Sequence, residues 1–185
     1  MKRLSIVTAV LLAWGTSTTA LAEHLHAKLT GYQEVPSVST PASGEFEAKI
    51  SRDDGLIEYE LSYSGLLGTV QQAHIHVAQR SVNGSIVIWL CQTATTPAPT
   101  AVAPLTPFCP PSPSGTVTGQ ITAANVIAAG TTSQQIVAGE LAEVIAAIRA
   151  GVAYANVHTT PLNGGGEIRG QIRASRHKDK DSDKD

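Results

Sequence analysis

The stretch AHIHVAQRSVNGSIVIWLC, residues 73 to 91, sets two strand-like runs on either side of Asn83-Gly84. Asn-Gly between such runs is the strongest short signal for a hairpin, so this segment reads as strand, turn, strand. Successive side chains of a strand point to opposite faces. Ala73, Ile75 and Val77 therefore share one face, and His74 and His76 share the other. The apolar set must face a core, which directs both imidazoles outward from the same side, close enough to bind a single ion. The same parity in AYANVHT places Ala155 and Val157 inside and Tyr154, Asn156 and His158 outside. If these two strands are neighbours, three imidazoles converge.

Three neutral imidazoles with an open position suit copper or zinc, whereas calcium and magnesium take oxygen ligands. The candidate metal ligands are His74, His76 and His158, and a solvated polar strand face is the alternative reading of the same pattern. His24 and His26 repeat the two-apart spacing near the start of the first strand and are candidates for additional ligands or a separate weak site. His177 falls in a charged tail and is expected to be solvated. Glu34, Glu167 and Arg169 stand on or beside strands, either as contacts of a ligand or, the favoured reading, as cross-strand pairs of modest worth.

Outward from the hairpin, the rest of the chain repeats its alternation. HLHAKLT is a half-buried strand, GEFEAKI and LIEYELSY form a second hairpin around Asp53-Asp54-Gly55, and GTVTGQIT, VAYANVHTT and EIRGQIRA supply further strands. The pattern changes once, in ELAEVIAAIRAG, where Leu141, Val144, Ile145 and Ile148 fall at helical spacing with Glu140 and Glu143 early and Arg149 and Gly151 at the end. The expected fold is mainly β: an antiparallel Greek-key β-sandwich or barrel with one amphipathic helix.

Lys2 and Arg3 precede an apolar run, Ile6 to Trp14, and small residues ending at Ala22, which is the pattern of a secretory signal peptide. The expected organisation is a signal peptide over 1–22, one domain over 23–173, and a disordered charged tail over 174–185. Cleavage would put the domain in the periplasm or outside the cell, and would take the formal net charge from −2 to −4 by removing Lys2 and Arg3. No basic stripe suggests nucleic acid, and no segment has the length of a membrane span. Cys91 and Cys109, the only cysteines, favour a disulfide in an oxidising compartment, tying off a loose Pro- and Thr-rich excursion. Gly164-Gly165-Gly166 lacks the Lys and Ser/Thr of a phosphate loop, no serine stands in a nucleophile-elbow setting, and no catalytic residue can be assigned.

Taken in order, LTGYQEVPSVSTPASGEFEAKI, AHIHVAQRSVNGSIVIWL and ELAEVIAAIRAGVAYANVHTTPLNGGGEIRGQI resemble the CHRD domain, a module named for its occurrence in chordin and also found as a stand-alone exported protein in bacteria. The resemblance spans residues 25 to 173, strongest at AHIHV with its Asn-Gly and at the YxNVHT…GGEIRGQ ending. It implies an extracellular β-rich domain with no agreed catalytic role. The His-x-His strand and the late NVHT strand are also distantly similar to copper/zinc superoxide dismutase, which implies His74, His76 and His158 as copper ligands. No histidine lies between His76 and His158, so the bridging histidine and zinc loop of that enzyme have no counterpart here. The expected function is an exported binding module holding copper or zinc through these histidines. The alternatives are a metal-dependent redox enzyme of dismutase type and a metal-free domain that is structural or binds an extracellular protein partner.

Overall fold

The computed structural model describes residues 22–130, 132–161 and 165–176. The expected signal segment, residues 1–22, falls almost wholly outside them, as does the tail from residue 177. Nine strands run in chain order: β1 Glu23–Thr30, β2 Ser43–Ile50, β3 Ile57–Ser64, β4 Thr69–Val77, β5 Ser85–Cys91, β6 Gly115–Ile121, β7 Ala153–Thr160, β8 Ile168–Gln171 and β9 Arg173–Arg176. One α-helix, α1, spans Leu141–Arg149 among the described residues.

All named strands pair antiparallel in one sheet of order β5-β4-β7-β8-β1-β2-β3-β6, with β9 set beside β1. The sheet curls until its two ends approach, so of the two architectures expected, the barrel is the one adopted. Closure is incomplete. The seam between β5 and β6 is crossed by an isolated bridge from Ile88 to Val126 and by the buried Tyr59 hydroxyl, which donates to the Leu90 carbonyl at 2.6 Å.

Alternation explains the interior. On β1, Leu25, Ala27 and Leu29 are buried while His24 and Lys28 are exposed, and Phe46, Ile50, Ile57, Leu61, Ile75, Leu90 and Ile121 complete the filling from the other strands. Each large side chain of this kind stabilises the fold by about 1.5–3 kcal/mol relative to exposure. The helix packs its expected stripe, Leu141, Val144, Ile145 and Ile148, against this interior. Arg149 at its C-terminal end binds Glu23 at 2.7 Å and Asp54 through two parallel bonds at 2.7 and 2.8 Å, fixing α1 to β1 and to the β2–β3 turn.

Three details differ from the sequence reading. Strand structure continues past residue 173, because Ala174 pairs with Leu25 and half-buries its methyl group against the core, so the charged tail begins later than residue 174. The connection between β4 and β5 is seven residues, Ala78 to Gly84, because β4 ends at Val77 rather than running on through Ala78-Gln79. Gly84 is required there because a Cβ would overlap the Val77 carbonyl. The excursion closed by the Cys91–Cys109 disulfide is ordered rather than loose. It wraps the buried Gln92, whose amide nitrogen donates to Ala103 and Thr106 carbonyls and whose oxygen accepts from Ala98.

Candidate metal centre

β4 and β7 are adjacent, and their register sets Gln72 opposite His158, His74 opposite Asn156 and His76 opposite Tyr154. All six residues lie on the face turned away from the barrel interior, as parity requires. His74, His76 and His158 each present one ring nitrogen such that the three atoms lie within 4.8 Å of one another. Among the described residues this is the one group of three or more His, Cys, Asp or Glu side chains placed to hold an ion. Ring centroids are 5.1 Å apart for His74 and His158 and 5.4 Å for His74 and His76. Metal–nitrogen bonds of about 2.0–2.1 Å would need the rings to pivot inward by about 1 Å.

The expectation that these imidazoles face solvent is corrected. His74 is 0% exposed and His76 and His158 are each 7% exposed, so β4 and β7 are buried on both faces. Two loops fold over the outer face: the segment after β1, carrying Glu34 and Val35, and the 78–84 connection. They are joined where the Asn83 amide donates to the Val35 carbonyl at 2.9 Å.

Glu34, Glu167 and Arg169 are likewise buried, at 3%, 0% and 1% exposure, rather than forming surface pairs. Arg169 on β8 reaches across to the 78–84 connection and donates to Asn83 Oδ1 and to the carbonyls of Gln79 and Val82. Its guanidinium carbon lies 3.4 Å from the centre of the Tyr154 ring, and that ring stacks on His76 at 4.7 Å with a 4° interplanar angle. On the other flank Trp89, opposite His74 on β5, meets the His74 ring edge-on at 4.3 Å.

The hydrogen bonding is uneven in an informative way. His76 Nδ1 bonds the Gly84 carbonyl at 2.9 Å, which fixes its proton on Nδ1 and leaves a lone pair on Nε2. Among the described residues both nitrogens of His74 lack a hydrogen-bond partner, as do Trp89 Nε1 and Asn156 Oδ1. Buried polar groups are nearly always paired, so such a concentration marks a place built for something other than its own stability. Glu167 is the counterexample: its carboxylate accepts from the Thr40 and Thr159 hydroxyls at 2.7 and 2.6 Å and from the Leu67 and Gly68 amides at 2.8 and 3.2 Å. It is a structural clasp rather than a surface pair.

Burial holds the His74 imidazole well below its ordinary pKa, with the neighbouring His158 and His76 adding to the effect. His76 is pushed down to about 4, chiefly by burial and further by the charges of His158 and Arg169, against the opposing bond to Gly84. Both rings are thus neutral at pH 7, the state in which imidazole binds metal. Glu34 is pushed up to about 8 by burial, which outweighs the attraction of Arg169 and nearby hydrogen-bond donors. For Glu167 burial pushes upward, but its four hydrogen bonds together hold it below the usual carboxylate value.

These shifts oppose one another in pH. Below the ordinary histidine pKa near 6.5 the unfolded chain takes up protons that His74 and His76 refuse when folded, so stability falls as pH drops from 6.5. Between 4.5 and about 8 the folded chain keeps a proton on Glu34 that the unfolded chain releases, so stability falls as pH rises through that window. With two groups against one below pH 6.5 and Glu34 alone above it, the metal-free protein is expected to be most stable near pH 6.5. The slope on each side is about 1.4 kcal/mol per pH unit. Urea midpoints from pH 5 to 8 measure this, and Glu34→Gln should abolish the decline above pH 6.5.

His24 is exposed and His26 half-buried on the outer face of β1, and neither joins the triad. The supporting roles of Trp89, Tyr154, Asn156 and Asn83 were not evident from sequence. Tyr154 and Asn156 share His158's parity and could have been named on that ground, whereas Trp89 sits in an almost wholly apolar run with nothing to mark it.

A curled antiparallel barrel with a histidine triad sealed on the outer face of two neighbouring strands is the class these features define. The chain belongs to the CHRD domain family, whose pattern it matches over residues 25–172. Comparison with curated proteins and with solved structures returned no match. Among the described residues no helix is long and apolar enough to cross a membrane.

Proposed function

We propose that this CHRD domain is an exported binding module that holds one copper or zinc ion through His74, His76 and His158. The observation that carries the reading is the triad itself: three buried imidazoles presenting nitrogens within 4.8 Å of one another, with His74 making no hydrogen bond at either nitrogen. A buried imidazole left without a hydrogen bond among the described residues, as His74 is, is costly to fold unless an ion completes the site. Export rests on the amino-terminal segment ending at Ala22 and on the Cys91–Cys109 disulfide. His24 and His26 fit a second, weaker site at the surface.

Protein recovered from the periplasm without an affinity tag should carry, or take up on titration, about one copper or zinc per chain. His158→Ala should weaken that uptake by at least about 100-fold, since loss of even a supporting residue of a metal site weakens binding 10- to 100-fold. His24→Ala with His26→Ala should leave the first equivalent intact. Absence of uptake by the wild-type protein would overturn the reading and favour a metal-free interaction domain. The exposed Tyr32 and Val82, on the two loops that cover the triad, support that second reading by giving a partner protein an apolar foothold.

A further inference from the structure

Resting on the metal reading above, we infer that the His74–His76–His158 site is selective for monovalent copper over divalent copper and zinc, and that the buried Arg169 sets this preference by its charge. The donor set is three imidazoles, ligands that bring no negative charge to an ion, and among the described residues no carboxylate or thiolate shares the cluster. The free energy of burying an ion rises with the square of its charge, so a dication sealed from water needs anionic partners far more than a monocation does.

The surroundings supply the opposite. Arg169 is buried and lies in series with the ligand ring, its guanidinium over Tyr154 and Tyr154 stacked on His76. Its hydrogen bonds go to neutral acceptors, an asparagine oxygen and two carbonyls, and no carboxylate pairs with it among the described residues.

Two buried carboxyls lie near enough to matter, and neither offsets the charge of Arg169. Glu34 sits against Gly166 and Asn156 and is held protonated near neutral pH by burial. Glu167 is ionised, but its oxygens are taken by four donors, one of them Thr159, whose side chain lies on the strand face opposite that of His158. Imidazole is a good donor to copper in either oxidation state, so net charge rather than ligand type decides between them.

The test compares ions on the tag-free wild-type protein. Cu(I) is added anaerobically against a chromogenic chelator, and Zn(II) and Cu(II) against chelators of known affinity, with His158→Ala as the control that locates binding. Cu(I) should bind most tightly. Zn(II) or Cu(II) held at the triad as tightly as Cu(I) would overturn the preference while leaving the metal reading intact, and uptake of none of the three would overturn both.

The role of Arg169 is read from the potential of the bound copper, which reports the ratio of Cu(I) to Cu(II) affinity and is insensitive to a loss common to both. Arg169→Gln should lower the midpoint by at least about 59 mV, the equivalent of a tenfold change in that ratio for one electron. Arg169→Lys, which keeps the charge but not the forked contacts to the 78–84 connection, should stay with the wild type. An unchanged potential in Arg169→Gln would overturn the charge argument. Should that variant fail to fold, the wild-type ranking of the three ions decides the preference by itself.

Discussion

His74→Leu is expected to abolish binding of the first metal equivalent and, in the same protein, to raise the stability of the metal-free form. Both effects have one cause. His74 is the most enclosed member of the triad, and neither of its nitrogens finds a hydrogen bond, so the folded protein carries the desolvation of two polar atoms without return. Leaving a buried donor or acceptor unsatisfied costs about 1–3 kcal/mol, and leucine is close to histidine in volume, so the replacement removes that burden without opening a large cavity. Denaturant melts of chelator-treated protein should show a gain of about 1–3 kcal/mol, and equilibrium dialysis with copper or zinc should show no uptake at the first site. A residue kept solely for packing would give the reverse, a loss of stability on replacement. That outcome would remove the main argument for a ligand site.

Glu167→Ala should have the largest effect on folding of any single change at this end of the barrel. The carboxylate gathers four donors from three separated segments: Thr40 from the loop after β1, Leu67 and Gly68 from the approach to β4, and Thr159 on β7. Truncation strands all four around an empty space where a charged acceptor stood. Breaking a buried charged group away from its partners costs about 3–5 kcal/mol, a large share of the 5–15 kcal/mol that holds an ordinary domain together. Glu167→Gln retains an acceptor but brings donors of its own into a set of donors, and should fall between. Urea titration of the three proteins orders them, and a loss below about 1 kcal/mol in Glu167→Ala would show that the four donors find water instead.

The two predictions mark how differently the site and its support could be read from the chain. The triad was legible because strand parity is a local rule: His74 and His76 share a face by spacing alone, and His158 shares it by the same rule once β4 and β7 pair. Which way that face looks was not legible. Alternation identifies the apolar face as inward but is silent on whether something else covers the polar one, and the loops that do so, around Glu34 and around Asn83, carry no periodic signal. Glu167 was misread as a surface group for a related reason. Its partners at 40, 67, 68 and 159 are distant in the chain, and no local pattern links a glutamate to hydroxyls and amides so far away. The start of the charged tail was misplaced because a single alanine, Ala174, is enough to hold one more short strand against β1.

The incomplete closure between β5 and β6 has a mechanical meaning. A closed hoop of hydrogen bonds resists opening everywhere, whereas a hoop with one gap yields first at the gap, and its two lips are the least protected backbone in the ring. Cys91 is the last residue of one lip, and Cys109 lies shortly before the other, so the disulfide acts as a buckle across the opening. His74 and its neighbour Trp89 stand on the two strands at that side of the ring, which makes the fastening of the buckle a determinant of how firmly the wall carrying the histidine triad is held.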